Sequence, residues 1–279
     1  MENLHIFTIT TGIYNYFVKD FIYSLNNIYN YNIILHIFTD NNNIIDKHTN
    51  YLDIKNIHYN VYKIPNMPYP FVTLFKFNTI ISYTKDIIHK EEKFIYVDID
   101  SKFVDNISED INKYNLCFNR SSWISGKKIY NYAFSENNYN YIHILENESD
   151  NIANFIDAKE WYCQGSFIMG TYEHFIEYNN FTMNELSKYS NSNDPSSSKD
   201  NKERKIPLMV DQTLMNIFLR HMKDNENISI KCYSCNNYSD DIQQYNNYKD
   251  YYNECFMYQK YNDDIKNKKR NVKQFSDNI

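Results

Sequence analysis

Four short runs rich in β-branched and aromatic residues, LHIFTIT, IILHIFTD, IHYNVYKI and EKFIYVDID, punctuate the first hundred residues of the chain. Between the first two, Phe17, Val18, Phe21, Ile22, Leu25 and Ile28 recur at helical spacing. Between the last two, a proline-bearing loop (Pro65 to Pro70) leads into a second helical pattern through Leu74, Phe75, Ile80 and Ile81. Strands separated by amphipathic helices require a parallel or mostly parallel sheet covered on its faces, the α/β class. Ligands of such sheets sit beyond the carboxyl ends of the strands. Whatever follows the ends of these runs is therefore the first place to look for chemistry.

The 279 residues fit one sizeable α/β domain or two small ones and are ample for a real core. An aromatic fraction of 17% is too high for a disordered chain. The formal net charge of −6 argues against bulk nucleic-acid binding, which needs a basic surface. No apolar run is long enough to span a membrane, and MENLHIFTIT lacks the basic start and long apolar core of a signal peptide, so a cytoplasmic protein without a membrane span is expected. The five cysteines (Cys117, Cys163, Cys232, Cys235, Cys255) have no framework spacing and suit reduced thiols. CYSC at Cys232 to Cys235 reads as structural thiols, half a zinc site being the rarer use of such a pair.

Later segments are less regular. WYCQGSFIMG, Trp161 to Gly170, reads as a strand interrupted by Gly165 and Ser166, a small pair that lets something approach the backbone closely. A polar low-complexity tract over 187–205 reads as a flexible insertion. PLMVDQTLMNIFLRHM resumes as a helix with Leu214, Phe218 and Leu219 on one side and Asp211 near its start, where an acid also serves as a cap. The basic tail, 264–279, includes KNKKRNVKQ. It reads as a solvated terminus, with Lys269 and Arg270 as candidate donor contacts under the resemblance described below.

The fourth run ends in Asp98-Ile99-Asp100. In an extended strand, residues two apart point the same way, so both carboxylates are expected on one face at the strand end. Two like charges there repel unless a cation joins them, and carboxylates are the usual oxygen ligands of hard dications. Solvated acids terminating a strand are the alternative.

YVDIDSKFV resembles the D-V-D-M-x-F segment of glycosyltransferase family 6, the retaining family of the blood-group A and B transferases and α-1,3-galactosyltransferase. Other segments are similar in matching order. TTGIYNYFVKDFIYSLN resembles the start of the family's catalytic domain, HIFTD its Y-x-x-F-T-D, TLFKF its S-M-R-R-M, WYCQGSFIMGT its F-Y-Y-x-G-G-F-F-G-G-S, and VDQTLMN its H-D-E-S-H-L-N. The resemblance implies one domain, 1–279, with a GT-A-type Rossmann-like nucleotide-sugar transferase fold. It implies a UDP-sugar donor and a glycan or glycoside acceptor.

Residue by residue, it implies Mn²⁺, with Mg²⁺ second, on Asp98 and Asp100. Ile9, Thr10, Thr11 and Tyr14 would hold the uracil, and Ile99 lies within the donor motif. Lys76 stands in place of an arginine that approaches the donor. Gln164, Gly165 and Ser166 would line the sugar pocket, whose family counterparts discriminate galactose from N-acetylgalactosamine, and Asp211 would accept from sugar hydroxyls. Gln212 departs from the family, where a glutamate proposed as the nucleophile stands. P-x-x-x-D-Q-x-x-x-N is instead similar to a segment of glycosyltransferase family 8, for which same-face attack by the acceptor is the accepted idea. A glutamine there leaves three readings: a family 6-like transferase, a family 8-like one, or a non-catalytic nucleotide-sugar or glycan-binding protein.

Overall fold

A computed structural model describes residues 1–67, 71–103, 105–120, 142–143, 163–189, 205–206, 211–222, 227–233 and 257–259. Its strands are β1 (Glu2–Thr10), β2 (Tyr31–Thr39), β3 (His58–Lys63), β4 (Lys93–Val97), β5 (Ser101–Phe103), β6 (Leu116–Arg120), β7 (Ile142–His143), β8 (Cys163–Thr171), β9 (Lys205–Ile206), β10 (Ile230–Tyr233) and β11 (Met257–Gln259). Seven of them form one sheet in the order β10-β6-β8-β4-β1-β2-β3. β1 pairs in parallel with β2 and β4, β2 with β3, and β6 with β10, whereas β8 runs antiparallel to both neighbours. This is the mostly parallel, Rossmann-like α/β sheet that the alternation of strands and helices predicts.

Both faces of the sheet are buried, which is why its strands read as nearly continuous apolar runs. Successive residues alternate between two cores. Leu4, Ile6, Leu35, Ile37, Ile95 and Val97 pack against Val18, Phe21, Ile22 and Leu25 on one side. Phe7, Phe38, Phe94 and Tyr96 pack on the other side with residues of three helices, Lys76–Thr84, Tyr172–Tyr189 and Asp211–Met222. The second core is aromatic: Phe94 stacks on Phe175 at a centroid distance of 4.4 Å, and Phe7 on Phe175 at 5.9 Å. Each such fully buried ring contributes about 2 kcal/mol through its removal from water.

The helical pattern after Gly12 is a composite: a 3₁₀ turn (Gly12–Phe17), an α-helix (Val18–Ser24) and a second 3₁₀ turn (Leu25–Asn27). Its apolar stripe is buried as the spacing requires, Ile28 included. Gly12 takes a left-handed φ of 55°, which glycine adopts without steric cost, and so turns the chain sharply out of β1. The helix Tyr172–Tyr189 carries the first residues of the expected polar insertion, and Lys205 opens β9; 190–204 lie outside the described residues.

β1 has β2 on one side and β4 on the other, so the chain leaves β1 in one direction and returns on the opposite side. Adjacent connections diverge at the carboxyl ends of β1 and β4, and that divergence opens a crevice in sheets of this kind. Thr10 and Val97 are the last residues of those strands.

Candidate functional site

The strand β4 ends at Val97, one residue before the acidic pair. Asp98-Ile99-Asp100 is a turn rather than an extended strand end, closed by Ser101 N–H donating to the Asp98 carbonyl at 3.0 Å. The expectation of two carboxylates side by side on a flat strand is corrected accordingly. Ile99 is driven into the core at 3% exposure, and the flanking Asp98 and Asp100 remain partly exposed. With the isoleucine between them buried, both acids sit at the boundary of the core, partly exposed.

β8 lies antiparallel beside β4, and the Ser166 carbonyl accepts from Asp98 N–H at 3.0 Å, which brings Gly165 and Ser166 to the acidic turn. The first residue of the helix Asp211–Met222 completes the group. Asp211 sits against Gly165 so closely that a Cβ there would stand 2.0 Å from its Oδ2. The close approach anticipated at the Gly165–Ser166 pair is therefore made by the protein's own carboxylate.

Lys76, the first residue of the helix Lys76–Thr84, enters this cluster from the aromatic core and is only 4% exposed. Its Nζ lies 2.6 Å from Asp211 Oδ2 and 3.8 Å from Asp98 Oδ1, and donates to the Gly165 carbonyl at 2.5 Å. The rings of Tyr96 and Phe77 flank the ammonium at 4.8 and 4.9 Å, distances at which aromatic faces attract cations. Tyr96 Oη donates to Asp98 Oδ1 at 2.5 Å.

The electrostatics follow from this crowding. Burial works against the Lys76 charge, but Asp211, then Asp98 and Asp100, outweigh it and hold its pKa above the ordinary lysine value. Asp98 is pushed up, first by withdrawal from water and then by Asp211, despite Lys76 and the Tyr96 hydroxyl. Burial and Asp98 raise Tyr96 well above an ordinary tyrosine, so it remains a donor. Two carboxylates, Asp211 and Asp98, thus lie within 4 Å of one ammonium, and Asp100 adds its charge.

That donor set fits a divalent cation. Tyr96 and Lys76 both address Asp98 Oδ1, so among the described residues Oδ2 keeps its coordinating capacity, and Asp98 is 34% exposed. Asp100 stands partly exposed on the same turn. Among the described residues no group of three or more His, Cys, Asp and Glu side chains converges as a closed metal site. A cation here would take Asp98 and Asp100 from the protein and its remaining ligands from solvent or a bound anion.

Beside the acidic turn, on the neighbouring strands, the ends of β1 and β2 are tied together. Asp40 accepts from Gly12 N–H at 3.0 Å and from Asn15 Nδ2 at 3.1 Å, and Asn15 Oδ1 accepts from Thr10 Oγ1 at 2.9 Å. The network fixes the chain just before Tyr14, whose N–H donates to the Thr11 carbonyl and whose ring is 37% exposed, 6.2 Å from Phe17. Thr10 is fully buried, Ile9 and Thr11 only partly so.

No protein-family model matches the sequence, and no curated protein does. Among solved structures, the crystal structure of the glycosyltransferase GlyE of Streptococcus pneumoniae TIGR4 is similar at a TM-score of 0.44 and 9% sequence identity. The likeness covers 83% of this chain and 45% of that one, so the chain spans less than half the length of that structure.

Of the candidates read from the sequence, the structure brings together Lys76, Asp98, Ile99, Asp100, Gly165, Ser166 and Asp211, with Ile9 to Thr11 and Tyr14 at the neighbouring strand end. Gln164 lies in β8 and Gln212 is the second residue of the helix Asp211–Met222. Their side chains lie outside the described residues, as do Lys269, Arg270 and Cys235. Sequence reasoning misses Tyr96, Asn15 and the role of Asp40. Tyr96 stands two residues before Asp98, a spacing at which a strand residue faces the same way, and that is the signal by which it could be found.

Proposed function

We propose that this protein is a retaining glycosyltransferase that moves galactose or N-acetylgalactosamine from a UDP-sugar to a glycan hydroxyl, with a divalent metal held at Asp98 and Asp100. One observation carries this reading: beyond the carboxyl end of β4, the carboxylates of Asp98 and Asp211 meet a single ammonium, with the charge of Asp100 acting on it as well. A cluster of that sign repels a diphosphate. It accepts one only with a dication, and metal-bridged diphosphate is what a nucleotide-sugar site must hold.

Bound at Asp98 and Asp100, Mn²⁺, or Mg²⁺ as the second choice, would neutralise the diphosphate and stabilise the departing UDP. Tyr14 offers its exposed ring to the uracil, beside the backbone of Ile9 to Thr11. Gln164, Gly165 and Ser166 line the sugar pocket, and Asp211 accepts hydrogen bonds from sugar hydroxyls. In the transfer, the bond from the anomeric carbon to the β-phosphate oxygen breaks with its electron pair leaving on UDP. The acceptor oxygen forms the new bond, and its proton passes to the β-phosphate oxygen of the departing UDP. Gln212 cannot form an ordinary glycosyl ester, which favours attack by the acceptor on the donor's own face over a double displacement.

The same glutamine supports a second reading, a protein that binds a nucleotide sugar or glycan without turning it over. Release of UDP from UDP-galactose and from UDP-N-acetylgalactosamine in the presence of Mn²⁺ separates the two. Slow metal-dependent hydrolysis is expected of a transferase with water as acceptor. Tight UDP binding with no release from either donor would favour the binding protein.

A further inference from the structure

Resting on the nucleotide-sugar reading, we infer that Lys76 is a positioning residue: with Gly165 it seats the Asp211 carboxylate, and it acts on the donor through that carboxylate rather than by touching the donor. The resemblance to family 6 implies the opposite for this position, an arginine that approaches the donor.

An ammonium has three N–H donors and no acceptor. One Lys76 donor goes to the Gly165 carbonyl at 2.5 Å and one to Asp211 Oδ2 at 2.6 Å. The remaining charge is directed at Asp98 Oδ1, 3.8 Å away. Tyr96 and Phe77 cover the flanks, and the side chain is 5% exposed. An arginine has five donors on a planar fork and can serve the protein and a ligand together. Two of the three Lys76 donors are committed to the protein, and the third lies on the side of Asp98 rather than in a second fork.

Gly165 supplies the other half of the seat. Its carbonyl fixes Nζ, and its missing Cβ leaves the volume that the Asp211 carboxylate occupies, since a Cβ would fall 2.0 Å from Oδ2 and 2.8 Å from Cγ. Any side chain at this position must displace Asp211. Removing the lysine and filling the glycine are therefore two independent ways of moving one carboxylate.

The test uses the full chain with Mn²⁺ as wild type, Lys76→Met, Gly165→Ala and the double variant. Calorimetry gives the affinity for UDP, and UDP release from UDP-galactose gives kcat and KM. Each single variant is expected to lower kcat at least tenfold and leave UDP affinity within about threefold of wild type. The double variant is expected to be no worse than the worse single, because both act through Asp211. A tenfold loss of UDP affinity in Lys76→Met alone would overturn the inference in favour of direct contact with the diphosphate. So would a double-variant loss equal to the product of the two singles. If Lys76→Met does not fold, Lys76→Gln replaces it, keeping a donor for the Gly165 carbonyl without the charge. If the wild type binds without turnover, the same comparison is made on the ratio of UDP-galactose to UDP affinity, which the variants are expected to bring to the same value. A wild type that binds neither ligand removes the nucleotide-sugar reading and this inference with it; in a wild type that binds both, the variants test the role of Lys76 alone.

Discussion

Lys76 and Asp211, 135 positions apart in sequence (211 − 76), meet at 2.6 Å in a pocket where each is at most 9% exposed. The pair links the helix that follows the proline-bearing loop to the first residue of a later helix, and both lie against the strand β8. A buried ion pair is weak grounds for stability by itself, because desolvation offsets much of the attraction. Breaking one side is costly, because it strands the other charge.

Asp211→Asn is therefore expected to destabilise the fold by about 3 kcal/mol, leaving the buried Lys76 ammonium with Asp98 at 3.8 Å and the charge of Asp100. Urea denaturation followed by circular dichroism measures it. The companion variant Asp211→Asn/Lys76→Met removes both charges, and should recover part of the loss. A loss below about 0.5 kcal/mol in the single variant would mean that the pair is not desolvated as its burial indicates.

A second buried polar chain, far from the acidic turn, sets a pH dependence. His36 Nε2 and His5 Nδ1 share a hydrogen bond of 2.9 Å, His36 Nδ1 meets Tyr62 Oη at 3.1 Å, and His5 Nε2 lies 3.4 Å from Glu92. Burial, then His5, lowers His36 from 6.5 to about 3, against the opposing effect of Glu92; burial lowers His5 as well. Below pH 6.5 the unfolded chain takes up a proton that folded His36 refuses, so stability falls as pH drops from 6.5 towards 3. The His36 share is about 1.5 kcal/mol between pH 6.5 and 5. Urea midpoints across this range should fall for wild type and fall less for His36→Phe. Equal slopes for the two proteins would exclude His36 as the cause.

Much of the fold is legible because its signals are local. β1, β2, β3 and β4 follow from their apolar runs, and the buried stripe Phe17, Val18, Phe21, Ile22, Leu25 and Ile28 from its spacing. β5 is not legible: three residues pair antiparallel with β11 across more than 150 positions, and no period can be read from three. β6 and β10 are short and owe their place to pairing partners distant in sequence. The turn at Asp98 to Ser101 reads as strand in the sequence because the burial of Ile99 that bends it is tertiary in origin. The small pair Gly165 and Ser166 announces a close approach, but only the fold says that the approaching group is Asp211.

Gln212 offers a test of mechanism. Under the proposed function with same-face attack, Gln212→Glu is expected to slow turnover, because a carboxylate in the donor site would repel the diphosphate. In a latent double displacement the same change would supply the nucleophile. Initial UDP release from UDP-galactose at matched Mn²⁺ is expected to fall in the variant. A gain of tenfold or more, about 1.4 kcal/mol of barrier, would establish the double displacement instead.

The central claim is that the acidic turn binds a nucleotide diphosphate through a divalent cation, and titration calorimetry of UDP with and without Mn²⁺, on wild type and Asp100→Asn, tests it most directly. Asp100 is partly exposed and outside the core, so the variant should fold with an unchanged circular dichroism spectrum. Wild type is expected to bind UDP at least tenfold more tightly with Mn²⁺ than without it, and Asp100→Asn to lose that gain. Equal UDP affinity for the two proteins with Mn²⁺ present would contradict the claim.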